Sequence, residues 1–390
     1  MTVTFAELGL HADLVSALAR QGIIEPFPIQ ALTIADALAG RDVLGKAKTG
    51  SGKTLAFGLP LLGRIGKAAP RNPRGLVLVP TRELATQVTD ALRPLGEVVD
   101  RKVRAVYGGV SMDPQVSALQ KGVDVVVGTP GRLIDLIERG ELSVAEVEVL
   151  VVDEADRMAD MGFMPQVQKI LYGIRSAHQT MLFSATLDGA VKRLVDRYMT
   201  DPVSHEVDDA EPTVDEMEHV FLAVHQMDKV KVAASIASAA NRTLVFVRTK
   251  RGADRLVLQL QREGVRAGAI HGDLRQGARE RALAEFTSGK VKVLVATDVA
   301  ARGIHVDGVD VVVHFDPPED EKAYLHRSGR TARAGESGVA VTLMLWNQEN
   351  EVRVIQRRLG LQIPVVEVFS NDPRLLDLPN WTADAVAVSA

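Results

Sequence analysis

The chain contains no cysteine. Disulfides and cysteine-ligated zinc are therefore excluded, and a reducing, cytoplasmic setting is expected. Aromatic residues are only 4% of the total, too few for a platform that stacks nucleic-acid bases. Positive charge is not in excess either, since the net charge is −4. Any nucleic-acid contact must then come from a local surface whose sign differs from the average, with backbone contacts dominating. No apolar run approaches the length of a membrane span, so a membrane partner is not expected. The start, Met1-Thr-Val-Thr-Phe5, lacks a charged-then-apolar leader. His178, His205, His219 and His225 lack metal-ligand spacing, no H-E-x-x-H occurs, and they are expected to be structural or exposed.

What the sequence does contain is a regular alternation. At 390 residues, 46% of them apolar, the chain predicts two domains of about 150–200 residues each. Short apolar, β-branched runs recur with helical stretches between them. They are Asp42–Leu44, Leu76–Val79, Val103–Val106, Val123–Val127, Val149–Val152 and Met181–Phe183 in the first half. Val220–Val224, Leu244–Val247, Val265–Ile270, Val291–Ala296, Val309–His314 and Val339–Leu343 follow in the second. Such runs suit strands buried on both faces, and their alternation with helices predicts an α/β fold with doubly wound parallel sheets. The pattern pauses in an acidic, Pro212-containing stretch, read as a linker. The expected domains are 1–206 and 218–370, with 207–217 as linker and 371–390 as a short, weakly patterned tail that is not basic.

Ala47-Lys48-Thr49-Gly50-Ser51-Gly52-Lys53-Thr54 stands between a predicted strand and a predicted helix. Gly50 and Gly52 let backbone N–H groups face an anion at the helix N-terminus. Lys53 can reach β- and γ-phosphates, and the Thr54 hydroxyl can bind Mg²⁺. The usual phosphate-loop pattern begins with Gly, where this chain has Ala47. Val149–Val152 leads directly into Asp153-Glu154-Ala155-Asp156. Open α/β sheets bind ligands at strand C-terminal ends, which brings Asp153 and Glu154 to the loop. Asp153 is the candidate Mg²⁺ ligand, and Glu154 the group that orients and deprotonates a water.

These residues spell D-E-A-D, and the chain resembles the DEAD-box RNA helicases of superfamily 2, bacterial minimal-core type, from about residue 5 to about residue 345. The resemblance implies two tandem RecA-like domains, ATP and Mg²⁺ as cofactors, and RNA as partner. Pro26-Phe27-Pro28-Ile29-Gln30 is similar to the Q motif, whose glutamine reads the adenine edge with one donor and one acceptor. The family commonly has an adenine-stacking aromatic seven residues earlier, where this chain has Ile23. Pro80-Thr81-Arg82, Gly108-Gly109 and Thr129-Pro130-Gly131-Arg132 resemble the motifs that hold RNA phosphates. Ser184-Ala185-Thr186 resembles the motif linking the phosphate site to the domain interface.

In the second half, Gln276, Arg279 and Thr297 match RNA-contacting positions of the family. His326-Arg327-Ser328-Gly329-Arg330-Thr331-Ala332-Arg333 resembles motif VI, implying that Arg330 and Arg333 approach the γ-phosphate. Its three arginines, spaced by three, are expected on one helix face. Gly303-Ile304-His305 departs from the family, which has Asp at the ribose-contacting position of His305. With Ile23, this implies a relatively high KM for ATP beside an intact phosphate site. The resemblance further implies RNA-stimulated hydrolysis, closure of the domains on both ligands, local duplex unwinding and remodelling of RNA–protein complexes. The RNA grip is largely sequence-independent, and DNA is disfavoured as a partner. Rival readings are an ATP-dependent RNA clamp, a DNA translocase and a metabolic P-loop kinase. Ribosome-assembly or RNA-decay proteins are the partner classes left open.

Overall fold

All twelve apolar runs become strands. The computed structural model describes residues 3–47, 51–187, 189–207, 217–298, 309–331, 338–378 and 381. The chain divides into two units, Met1–Asp209 and Ala210–Ala390.

The first unit holds β1 (Val43–Lys46), β2 (Gly75–Leu78), β3 (Val103–Val106), β4 (Val125–Gly128), β5 (Val149–Asp153), β6 (Gln179–Ser184) and β7 (Val203–Glu206). They form one all-parallel sheet in the order β3-β4-β2-β5-β6-β1-β7. Its helices are α1 (Ala12–Arg20), α2 (Pro28–Leu38), α3 (Lys53–Arg64), α4 (Arg82–Val98), α5 (Asp113–Gln120), α6 (Pro130–Glu138), α7 (Ala155–Asp160), α8 (Met164–Tyr172) and α9 (Gly189–Tyr198). Successive strand residues point to opposite faces. Val149 and Val151 join a core with Ile29, Phe57 and Leu92 from α2, α3 and α4. Leu150 and Val152 join another with Leu133, Val167 and Leu194 from α6, α8 and α9. Burial on both faces is why these strands lack polar alternation.

The second unit holds β8 (Met217–Ala223), β9 (Thr243–Phe246), β10 (Ala267–Ile270), β11 (Val293–Ala296), β12 (Val311–His314), β13 (Gly338–Met344) and β14 (Val365–Glu367). Its helices are α10 (Lys229–Ala239), α11 (Lys250–Arg262), α12 (Gln276–Thr287), α13 (Glu321–Ser328) and α14 (Glu349–Arg358). The sheet order is β10-β11-β9-β12-β13-β8-β14, which is the first sheet's order with every strand moved on by seven. The two halves are thus one topology used twice.

Two strands escaped the sequence reading, β7 and β14, and each is an outer edge of its sheet. Their residues are only partly buried or exposed, so they carry no unbroken apolar run. The stretch after Ser370 also has structure that its weak patterning hides. Pro373–Leu376 is a 3₁₀ turn, Leu375 and Leu378 are buried in the second unit's core, and Arg374 lies 4.8 Å from the Trp381 ring centroid.

Candidate active site

The site is built at the C-terminal ends of β1, β5 and β6, which are neighbours in the first sheet. After β1, the Ala47 N–H donates to the Ser184 carbonyl at 3.1 Å, tying the loop's start to the end of β6. Lys48, Thr49 and Gly50 lie outside the described residues, and Ser51 stands in the turn that follows. Gly52 caps α3 with φ +86°, and a Cβ there would come within 2.5 Å of Gln30 Nε2 and 2.8 Å of Phe27 Cδ2. Glycine is therefore required twice over, by conformation and by contact. Gly52→Ala is expected to weaken nucleotide binding about tenfold, because an L-residue in this region is disfavoured by ~1–2 kcal/mol before the clash is counted. Titration with a fluorescent ATP analogue checks it, and the same strain should lower the melting temperature by a few degrees.

Lys53 is the first residue of α3 and is buried, with Nζ donating to the Ala47 carbonyl at 2.9 Å. Thr54 follows it, and its hydroxyl makes no hydrogen bond among the described residues. Gln30 is fully buried near the start of α2. Its Oε1 accepts from the Phe27 N–H at 3.0 Å, and its Nε2 donates to the Gly52 carbonyl at 2.9 Å. The amide expected to address adenine thus also clamps α2 to the phosphate loop, which leaves one N–H and one lone pair for anything else. Ile23 packs against the core as a half-buried residue.

Asp153 ends β5 and is buried, and burial pushes its carboxyl up to about 7. The Lys53 ammonium pulls the other way, while Glu154 and Asp156 add to the rise. Glu154 sits at the strand–helix junction with φ +53°, a left-handed conformation for a residue that bears a side chain. Such conformations cost of order 1–3 kcal/mol and cluster where function needs them. Its Oε2 accepts from Arg157 Nη1 at 2.5 Å, and its N–H donates to Asp153 Oδ1 at 3.0 Å.

Asp156 is the residue that sequence reasoning passed over. Its Oδ2 accepts from the N–H groups of Ala185 and Thr186, both at 3.1 Å, and its own N–H donates to Ser184 Oγ at 3.2 Å. The carboxylate therefore holds the whole Ser184–Thr186 turn against the end of β5. The signal available was a third carboxylate in one short run, with no other task to perform.

A second cluster forms at the ends of β2, β3 and β4. Pro80 is buried there, and Thr81 caps α4 by accepting the Leu84 N–H at 3.3 Å. Gly109 has φ +82°, and a Cβ on it would overlap Arg82 Nη1 at 1.9 Å, so the Arg82 guanidinium packs directly against the Gly108–Gly109 turn. Arg132 Nη2 donates to the Val110 carbonyl at 3.2 Å. Thr129 and Pro130 start α6, and Gly131 is open, with nothing within 4 Å of its Cβ position. Three sequence-distant segments thus meet on one turn.

In the second unit Gln276 opens α12, buried, with Nε2 donating to Glu280 Oε1 at 3.0 Å. Arg279 lies one turn along, and Thr297 is buried just beyond β11. Gly303, His305 and Arg333 lie outside the described residues. The structure corrects one expectation: Arg327 and Arg330 do not share a helix face. α13 ends at Ser328 with Gly329 as its cap, so Arg330 stands beyond the helix, its N–H donating to the Arg327 carbonyl at 3.2 Å. Arg327 is itself buried, gripping both oxygens of Asp298 at 2.6 and 2.8 Å and the Asp316 carbonyl at 2.8 Å. His219 pairs with the Tyr324 hydroxyl at 2.7 Å, His205 with Asp36 at 2.7 Å, and His225 is exposed.

Comparison with known proteins supplies the frame for this geometry. Residues 27–194 match the DEAD/DEAH box helicase family, and residues 227–335 match the helicase conserved C-terminal domain. The chain is 43% identical over 359 residues to the DEAD-box ATP-dependent RNA helicase CshA of Bacillus licheniformis, covering 92% of this chain and 74% of that one. It is equally 43% identical to CshA of Bacillus subtilis, covering 72% of that protein. Among solved structures it resembles Saccharomyces cerevisiae Dbp5 bound to RNA and ADP BeF3, with TM-score 0.81, 29% identity, and coverage of 96% of this chain and 99% of that one. It also resembles a DEAD box protein from Methanococcus jannaschii, at 34% identity and TM-score 0.53, covering 94% of this chain and all of the other. The two parallel sheets are the tandem RecA-like domains of these proteins, and the chain belongs to the DEAD-box ATP-dependent RNA helicases.

Proposed function

We propose that this chain hydrolyses ATP in response to RNA and uses the cycle to separate short duplexes and remodel RNA–protein complexes. One observation carries the reading: Lys53, Asp153, Glu154 and the Asp156-clasped turn converge at the ends of three adjacent strands. Lys53 and the loop from Ala47 to Gly52 bind the phosphates, and Gln30 addresses the base. A divalent cation fits the donors present. Asp153 is buried beside the carboxylates of Glu154 and Asp156, and the Thr54 hydroxyl has no hydrogen bond among the described residues. Mg²⁺ is typically held by one or two protein oxygens beside phosphates, which Asp153 and Thr54 can supply. When bound, the ion neutralises charge developing on the transferred phosphoryl group.

Glu154 positions and deprotonates the attacking water, and Arg157 fixes its carboxylate. The Ser184–Thr186 turn moves with Asp156, so a change at the phosphate site reaches β6. RNA lies along Pro80–Arg82, Gly108–Gly109, Thr129–Arg132, Gln276, Arg279 and Thr297, gripped by its backbone and told from DNA by its 2′-hydroxyls. The two units close on both ligands, bringing Arg330 and Arg333 to the γ-phosphate. Because both ligands favour the closed state, each tightens the other. The cysteine-free composition fits a cytoplasmic location, and no helix among the described residues is long and apolar enough to cross a membrane. The test is the ATPase rate with single-stranded RNA, with matching DNA, and with neither. Stimulation by RNA alone is expected, and a rate indifferent to RNA would remove the reading.

A further inference from the structure

The stretch Arg242–Arg281 carries ten Lys and Arg against four Asp and Glu, in a chain whose net charge is −4. It folds as β9, α11, β10 and α12, with β10 the outermost strand of its sheet. Helix α11 buries Ala253, Leu256 and Leu260. Arg251, Arg255 and Arg262 are exposed on its other side, and successive steps of four and seven residues place them in one narrow stripe. Arg266, just before β10, and Arg275, the residue before α12, are exposed as well. None of these five arginines makes a salt bridge or a side-chain hydrogen bond among the described residues. Exposed arginines on other helices do find partners, Arg93 with Asp90, Arg139 with Asp135 and Arg353 with Glu349. Like charges one turn apart disfavour a helix, so the stripe is not explained by the stability of α11.

The stripe begins where the proposed RNA-facing segment begins. Lys250 Nζ, at the first residue of α11, meets Asp273 Oδ1 at 2.5 Å, between β10 and Gln276. From there it runs ~16 Å along the helix axis from Arg251 to Arg262. We propose that this face of α11, extended by Arg266 and Arg275, is an accessory contact for RNA backbone leaving the segment held by Gln276, Arg279 and Thr297. The proposal rests on the RNA-facing reading of those three residues. A protein partner fits the surface less well, because protein interface cores are poor in charge and rich in aromatic anchors. The only exposed large hydrophobic residue on these elements is Leu258.

The test uses the full chain with Arg251→Gln, Arg255→Gln and Arg262→Gln combined, and two RNA strands. One is the shortest strand that fully stimulates hydrolysis, and the other is three times as long. The longer strand should bind about tenfold more weakly to the variant, and its plot of log K against log salt should flatten by about 2, at ~0.7 per phosphate released. Binding of the short strand, hydrolysis without RNA and the melting curve should not change, and the triple Lys variant should recover most of the loss. An unchanged affinity for the longer strand, or an equal loss on both strands, overturns the proposal. A wild-type protein whose hydrolysis ignores RNA removes the underlying reading as well, and that result is seen before any variant is made.

Discussion

Glu154→Gln should lower kcat for ATP by a factor of about 10²–10⁴, the range that a positioned general base contributes, while nucleotide still binds. Glu154 adopts φ +53° at the start of α7 and is 5% exposed. The conformation is not explained by packing alone, since a glycine would adopt it without strain. Gln has the same shape and keeps an acceptor for Arg157, whose Nη1 lies 2.5 Å from the present Oε2, so the fold should hold. What is lost is the ability to take a proton from water. Single-turnover hydrolysis together with equilibrium binding separates the two effects. A variant that hydrolyses within threefold of wild type would remove Glu154 from the chemistry.

The second large effect is on stability. Arg327→Met should destabilise the second unit by about 3 kcal/mol, because breaking a buried ion pair leaves its partner uncompensated. The Arg327 side chain is 3% exposed and that of Asp298 34%, so water can partly resolvate the aspartate, which places the loss at the low end of the ~3–5 kcal/mol range. The guanidinium also lies 5.3 Å from the Phe246 ring centroid and donates to the Asp316 carbonyl. Lys in its place keeps the charge and loses the fork, so its loss should be intermediate. Both tryptophans, Trp346 and Trp381, belong to the second unit, so fluorescence during urea unfolding of the full chain follows it. An unchanged midpoint for the Met variant would show the pair to be dispensable. Since the Arg330 N–H rests on the Arg327 carbonyl, the same variant should also lower RNA-stimulated turnover.

The interior of both sheets was legible because strands buried on two faces have no polar alternation to confuse the pattern. β7 and β14 were not, since an edge strand is half wet and three or four residues leave too short a record. The phosphate loop was legible because glycine, lysine and threonine at fixed spacing have few other uses. Asp156 and Arg327 were hidden for a different reason. Their roles come from partners 28 and 29 residues away, Ser184 and Asp298, and spacing within a motif carries no information about such contacts. The three-residue spacing of Arg327 and Arg330 also misled, because Gly329 ends the helix before the period can operate. Gln30 shows a further limit of motif spacing: it marks an amide worth keeping, but not that the amide also holds Gly52.

The proposed mechanism requires nucleotide and RNA to favour the same state of the protein. Affinity for single-stranded RNA, measured with and without a non-hydrolysable ATP analogue, tests this most directly when the reciprocal titration is run beside it. The analogue should tighten RNA binding, RNA should tighten analogue binding by the same factor, and Gly52→Ala should weaken both effects together. RNA affinity that is the same with and without the analogue would contradict the mechanism.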